Sequence, residues 1–165
     1  MKIKNLTRIS FFVAIMIICS YLTVPFAVPF TLQILGVFLA VLILGKNKGS
    51  LSILIYLLLG ICGVPVFSGM KGGISVFLTP AGGYLVSFLL CGYITGFIFE
   101  KTGKAFLSCL FGLGICYIGA YFWCFILYSV DEIFLTMIAP FIIPDIIKIS
   151  IAVYISSKLN AYFSA

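Results

Sequence analysis

The stretch from Lys104 to Ser129, KAFLSCLFGLGICYIGAYFWCFILYS, decides the fold class. After its first residue it carries no charge. A helix that crosses a bilayer needs about 20 consecutive, mostly apolar residues, because roughly 30 Å of hydrocarbon is crossed at about 1.5 Å per residue. This stretch meets that requirement. It also sets Ser108, Gly112, Cys116, Ala120 and Cys124 at every fourth position, along one ridge of a helix. Lipid tails are as apolar as leucine, so helices in a membrane associate by close packing of small residues. The ridge therefore reads as a surface for packing within the chain, with dimerisation as the alternative. Gly92 and Gly96 give the preceding span a second pair of small residues at the same spacing.

The rest of the 165-residue chain follows the same pattern. It is 64% hydrophobic and 8% charged, against about 45–50% and about 25% in soluble domains. It reads as one integral membrane domain, 1–165, an all-α protein with six transmembrane helices. The expected spans are 8–25, 30–46, 50–64, 80–99, 104–129 and 135–158. The second and third are short, which suits a helix pair that packs inside the bundle or stops before the far surface. The start, MKIKNLTRISFFVAIMIICSYL, has the basic head and apolar core of a signal peptide. No clean small-x-small cleavage site follows it, so it is read as a retained first span.

Lysine and arginine bias orients such a bundle. Lys2, Lys4 and Arg8, the pair Lys46 and Lys48, the pair Lys101 and Lys104, and Lys158 all fall on one side if both termini are cytoplasmic. The outer side then receives Lys71 with Asp131 and Glu132, the two acids reading as a solvated loop. The expected location is the cell (plasma) membrane, and the basic clusters reflect orientation rather than nucleic-acid binding. Three segments meet on the external half: the Pro-rich connection TVPFAVPFTLQ (23–33), the connection GVPVFSGMKGGISVFLTPAGGY (63–84), and the outer part of the sixth span.

That span holds PFIIPDIIKIS (140–150), with Asp145 and Lys148 on one helix face. Each charge costs roughly 2.5–3.5 kcal/mol at a helix centre on insertion scales, and such residues by default mark a ligand path. An ion pair that docks the helix, or a lysine that snorkels outward, explains them structurally. Pro144 tends to kink a helix and leaves a carbonyl without its donor. Gly69, Gly72, Gly73, Gly82 and Gly83 make the long connection either a flexible linker or a loop offering backbone groups to a ligand. Thr31 and Gln33 bring polar groups to an apolar entrance, unless Thr31 caps a helix and Gln33 faces water.

Other chemistry is sparse. The chain has no histidine and no paired intramembrane carboxylates, so neither acid–base catalysis nor a metal centre is expected. No G-x-x-x-x-G-K-[ST] pattern occurs, so ATP hydrolysis by that route would need a partner. Cys19, Cys62, Cys91, Cys109, Cys116 and Cys124 form no C-x-x-C pair and read as small packing residues.

In order along the chain, VPFTLQ, GVPVFSGMKGG, TPAGGYLVSF and PFIIPDIIK resemble the BioY family, the substrate-binding (S) components of energy-coupling-factor biotin transporters. The resemblance covers nearly the whole chain. It departs from the family's usual pattern at Met70, at Thr79–Ala81 and at Pro144, where the family usually has Gly. It implies biotin captured from outside, and membrane partners comprising a transmembrane coupling subunit and two ATP-hydrolysing subunits. No cofactor is implied. On this reading Asp145 accepts from the ureido N–H groups of biotin, and Lys148 donates to its carbonyl or, alternatively, meets its carboxylate. Phe30, Phe67 and Tyr84 cover the apolar ring, and Thr31, Gln33 or loop amides at Gly69, Gly73 and Gly83 hold the carboxylate end. Ser10 and Ala14 on the first span resemble a small-x-x-x-small contact for the coupling subunit, although Ile18 breaks its continuation. The residues alone also allow a small secondary transporter, an S component for another vitamin, or a membrane assembly protein held by an Asp145–Lys148 clasp.

Overall fold

The computed structural model describes residues 3–24, 30–128, 134 and 138–164. Asp131 and Glu132, and much of the 23–33 connection, lie outside these residues. The described chain is all-helical apart from one short ribbon. Its helices are α1 (Ile3–Tyr21), α2 (Gln33–Ile61), α3 (Pro80–Thr102), α4 (Ala105–Tyr128) and α5 (Ala139–Ser164). All five are long and apolar enough to cross a membrane. Thr23–Val24 pairs antiparallel with Phe30–Thr31, so the ends of the first connection are held together between α1 and α2.

Five helices stand where six spans were expected, because the second and third form the single element α2. The cause is Gly45, which interrupts α2 at φ 79°, ψ 172°. That conformation is open to glycine and strained for other residues. The chain folds back there. A Cβ on Gly49 would lie 2.6 Å from the Cα of Val41, and the Gln33 amide donates to the Tyr56 hydroxyl. In an unbroken helix those pairs would be roughly 12 Å and 35 Å apart. Glu100 supports the bend from α3. It accepts from the Lys46 backbone N–H at 2.9 Å and pairs with the Lys46 ammonium at 3.3 Å. A carboxylate at the start of the second arm satisfies an otherwise orphaned donor.

The first arm of α2 lies at the centre, and every residue from Gln33 to Leu42 is buried. A helix that is apolar all round belongs inside a bundle. Around it pack α1, α3 and α5, with α4 against the far side of α3. Small residues set these approaches. At Gly92 a Cβ would meet Ile53 Cδ1 at 2.3 Å, and at Gly96 the Lys46 backbone at 2.6 Å, so this pair receives the arms of α2. On α4 the ridge Ser108, Cys116, Ala120 and Cys124 is buried. A side chain at Gly112 would collide with Thr95 of α3. The ridge thus serves packing within the chain. Five cysteines are buried, four of them on α3 and α4, while Cys62 is exposed; all six are free thiols. The opposite faces of α4 and α5 present Phe111, Ile118, Phe125, Ile143 and Tyr154 outward, as lipid-facing surfaces do.

Candidate functional site

The connection between α2 and α3 is an anchored structure rather than a slack linker. Phe67 and Lys71 exchange backbone hydrogen bonds, Phe67 N–H to Lys71 O at 2.9 Å and the reverse at 3.3 Å. Gly73 N–H donates to Gly60 O at 2.7 Å. The Phe67 ring, 1% exposed, meets Tyr56 and Phe77 edge-on at 5.5 and 5.6 Å. Beneath it, Ser20 Oγ (2.6 Å) and the Tyr56 hydroxyl (3.1 Å) both donate to the carbonyl of Val66. Gln33 completes this chain of polar contacts through Tyr56. After a 3₁₀ turn at Ile74–Leu78, α3 begins at Pro80, so the expected external segment TPAGGY is mostly the first turn of a helix. Gly82 enters that turn against the carbonyl of Phe77, where a Cβ would stand 2.0 Å away.

Between this loop, the start of α2, the start of α3, the middle of α4 and the first turns of α5 lies a cavity of about 380 Å³. Its walls are largely apolar, from residues such as Ile34, Val76, Leu85, Phe88 and Leu113. Into it come Asp145 and Lys148, 5% and 4% exposed. α5 continues through Pro144. The proline lies close to the helix start, so only the Pro140 carbonyl loses its usual partner. The helix therefore keeps both charges on one face, and Lys148 Nζ donates to Asp145 Oδ1 at 2.6 Å. Tyr117 of α4 donates its hydroxyl to the other carboxylate oxygen, Oδ2, at 2.7 Å. Lys148 Nζ also stands 4.0 Å from the centroid of the Phe30 ring, a cation–π distance. Phe30 stacks on Phe141 at 6.2 Å, and Tyr84 lies 6.3 Å from both Phe141 and Tyr117. A neutral pair is thereby enclosed by four aromatic rings.

Of the residues predicted from sequence, Asp145, Lys148, Thr31, Gln33, Phe67 and Tyr84 line this cavity, and Phe30 covers the ammonium. Thr31 Oγ1 accepts from the Gln33 backbone N–H at 3.3 Å. Gln33 is buried and does not face water. Gly69, Gly73 and Gly83 are not among the lining residues. Gly69 and Gly73 turn the loop with φ of 69° and 91°, while Gly83 faces Trp123 and Ala120 of α4. Sequence reasoning missed Tyr117, Phe141, Ser68, Lys71 and Thr79. A tyrosine beside the small-residue ridge of an uncharged span was the one signal for Tyr117.

The geometry suits a small molecule with a polar head that both accepts and donates, an apolar body, and a second end toward the loop. A mostly apolar pocket of about 300–1,000 Å³ with a few placed polar groups is the usual small-ligand design. Fold and site together define a multi-pass helical membrane protein with a largely apolar cavity beside a buried ion pair. Comparisons with known proteins sharpen that class. The BioY family model matches residues 1–165. The "Probable biotin transporter BioY" of Pyrococcus horikoshii is 39% identical over 97% of this chain and 98% of its own length. The "Biotin transporter BioY" of Thermotoga maritima is 35% identical over 95% and 96%. A solved structure, the 2.1 Å crystal structure of the S-component for biotin from an ECF-type ABC transporter, superposes with a TM-score of 0.89 at 30% identity. It covers 97% of this chain and 92% of that one. The chain belongs to the BioY family.

Proposed function

We propose that this chain is a membrane-embedded S component that binds biotin from outside the cell and mediates its uptake with an ATP-driven coupling module. The observation that carries the reading is the buried Asp145–Lys148 pair, held by Tyr117 and enclosed by aromatic rings. Family membership and the biotin S component among its structural neighbours support it. The ureido ring of biotin has two N–H donors and one carbonyl, which match the carboxylate and the ammonium. Its apolar bicycle fits between Phe30, Phe141 and Tyr84, with Phe67 in the loop-side wall. Thr31 and Gln33 stand at the α2 end of the pocket, while the backbones at Gly69, Gly73 and Gly83 shape the loop and the start of α3.

The two arms of α2 count as separate crossings, which gives six and leaves both termini cytoplasmic. The bend beside Lys46 and Lys48 then shares a side with the Lys101–Lys104 turn, as the lysine bias requires. The loop and the cavity face outward, and the host membrane is the plasma membrane. Ser10 and Ala14 are both exposed on α1, which suits contact with the transmembrane coupling subunit. Two ATPase subunits complete the assembly.

Equilibrium binding of labelled biotin to the purified chain tests this reading, with riboflavin and thiamine as competitors. Saturable binding displaced by unlabelled biotin alone supports it. Displacement by another vitamin makes the chain an S component for that solute. Absence of any saturable ligand, with a bundle that loses its fold when either charge is removed, would leave Asp145–Lys148 as a structural clasp.

A further inference from the structure

A second cavity, a groove of about 600 Å³, lies at the end of the bundle away from the pocket described above. The last turn of α3, the first turn of α4 and the late turns of α5 wall it. The first pocket takes instead the starts of α3 and α5 and the middle of α4. The two therefore lie toward opposite faces of the membrane. Phe99, Phe106, Leu107 and Val153 make the groove mostly apolar. Phe106 and Leu107 are each 42% exposed, so the groove opens onto the lipid-facing side of α4.

Its polar edge is Lys104 with Ser156 and Ser157. Both hydroxyls already donate within α5, to the carbonyls of Val153 and Tyr154 at 3.0 and 2.8 Å. Selection by charge therefore falls to the lysine. Lys104 forms no ion pair among the described residues. The chain has only four acids. Asp145 lines the other cavity. Glu100 is taken by Lys46 at 3.3 Å. Asp131 and Glu132 follow the opposite end of α4 in the sequence, and residues 160–165 add no acidic side chain. Two more lysines flank the groove along the chain. Lys101 and Lys158 hold their ammoniums over the rings of Phe97 and Tyr154, at 4.4 and 5.9 Å. Lysines and aromatic rings together at helix ends mark the membrane–water boundary.

An apolar groove at that boundary, with an unanswered cation at its edge, complements a molecule with a hydrocarbon chain and an anionic head. We propose that the groove binds an anionic phospholipid of the surrounding leaflet, an acyl chain lying along Phe106, Leu107 and Val153 and the phosphate meeting Lys104. The inference is independent of what the first pocket binds. On the topology proposed above this leaflet is the cytoplasmic one, where anionic lipids attract basic segments.

Native mass spectrometry of the purified full-length chain tests this, with phosphatidylglycerol or phosphatidylcholine of identical acyl chains titrated in. Wild type is expected to retain one phosphatidylglycerol about tenfold more tightly than phosphatidylcholine. Lys104→Met is expected to lose about fivefold of that preference, the effect of one basic side chain at an anionic lipid surface. Lys4→Met removes an equal charge from α1, whose start is tied to the α2 bend at the same end of the bundle by Lys48 and Asn5. It is expected to change the preference less than about twofold. Ser157→Trp fills the groove and weakens both lipids. Each replaced side chain is exposed, so the three variants are expected to melt as wild type does. Equal retention of the two lipids by wild type overturns the proposal. So does a loss in Lys4→Met as large as in Lys104→Met, which would mark a response to net charge rather than a site. Undiminished lipid retention in Ser157→Trp overturns it as well, and so does displacement of the phospholipid by millimolar glycerol 3-phosphate, since the groove would then bind a free anion.

Discussion

Each oxygen of Asp145 has one donor of its own, Lys148 on Oδ1 and Tyr117 on Oδ2. Lone pairs remain on both oxygens for the N–H groups of a ligand. Tyr117 is a positioning residue on this account. Tyr117→Phe is expected to weaken biotin binding about fivefold to tenfold, the worth of one ordinary hydrogen bond, with little change in melting temperature. A melting temperature that falls as far as the affinity would instead make the contact structural. Lys148→Met leaves a carboxylate buried with one partner fewer, and is expected to cost roughly 3 kcal/mol of stability, read by thermal unfolding in detergent. The ion pair was legible in the sequence because charges in an apolar stretch are rare and costly. Tyr117 was not, because it is one of nine tyrosines, and its place beside the small-residue ridge does not say that it faces a carboxylate from another helix. Lys71 was legible as an outer-loop charge. Its place in the cavity wall depends on how the loop folds back between Gly60 and Val64, which no local pattern encodes.

At the scale of elements, α2 is where sequence and structure part. Two short apolar runs with lysines between them were readable as a helix pair. The sharpness of the bend was not, because Gly45 is one of sixteen glycines and its positive φ depends on tertiary packing. Gly45→Ala is expected to destabilise the protein by roughly 1–3 kcal/mol, the usual cost of a non-glycine residue in such a conformation. Unchanged thermal unfolding would show that the bend does not need glycine. At Gly92 the constraint is steric. Gly92→Ala places a Cβ where Ile53 Cδ1 already stands, and overpacking of this kind typically costs about 1–3 kcal/mol, read by thermal unfolding. The paired variant Gly92→Ala with Ile53→Val is expected to recover much of that loss, because the shortened Ile53 leaves room for one methyl. The ridge on α4 and the spacing of Gly92 and Gly96 were legible for a simple reason: helical periodicity alone places those residues on one face.

The whole molecule joins an inert, lipid-facing exterior to a pocket built where the loop between α2 and α3 meets parts of α2, α3, α4 and α5. On the proposed reading, lysine bias and the doubled-back α2 would set the pocket outward, and the exposed Ser10 and Ala14 of α1 would meet the coupling subunit. Reporter fusions to the two termini test this directly. Both are expected to report the cytoplasm, and termini on opposite sides would mean that α2 does not cross twice. Adding a tryptophan at Ala14 is expected to block assembly with the coupling subunit while leaving biotin binding by the isolated chain intact, measured by co-purification and by titration. The most direct test of the central claim is a titration of labelled biotin into the purified full-length chain and its Asp145→Asn variant, both shown to be monodisperse. One saturable site in wild type and about tenfold to a hundredfold weaker binding in the variant is the predicted result, since a charged acceptor with buried partners is worth about 1.5–3 kcal/mol. Equal binding by both proteins, or none by wild type, would contradict it.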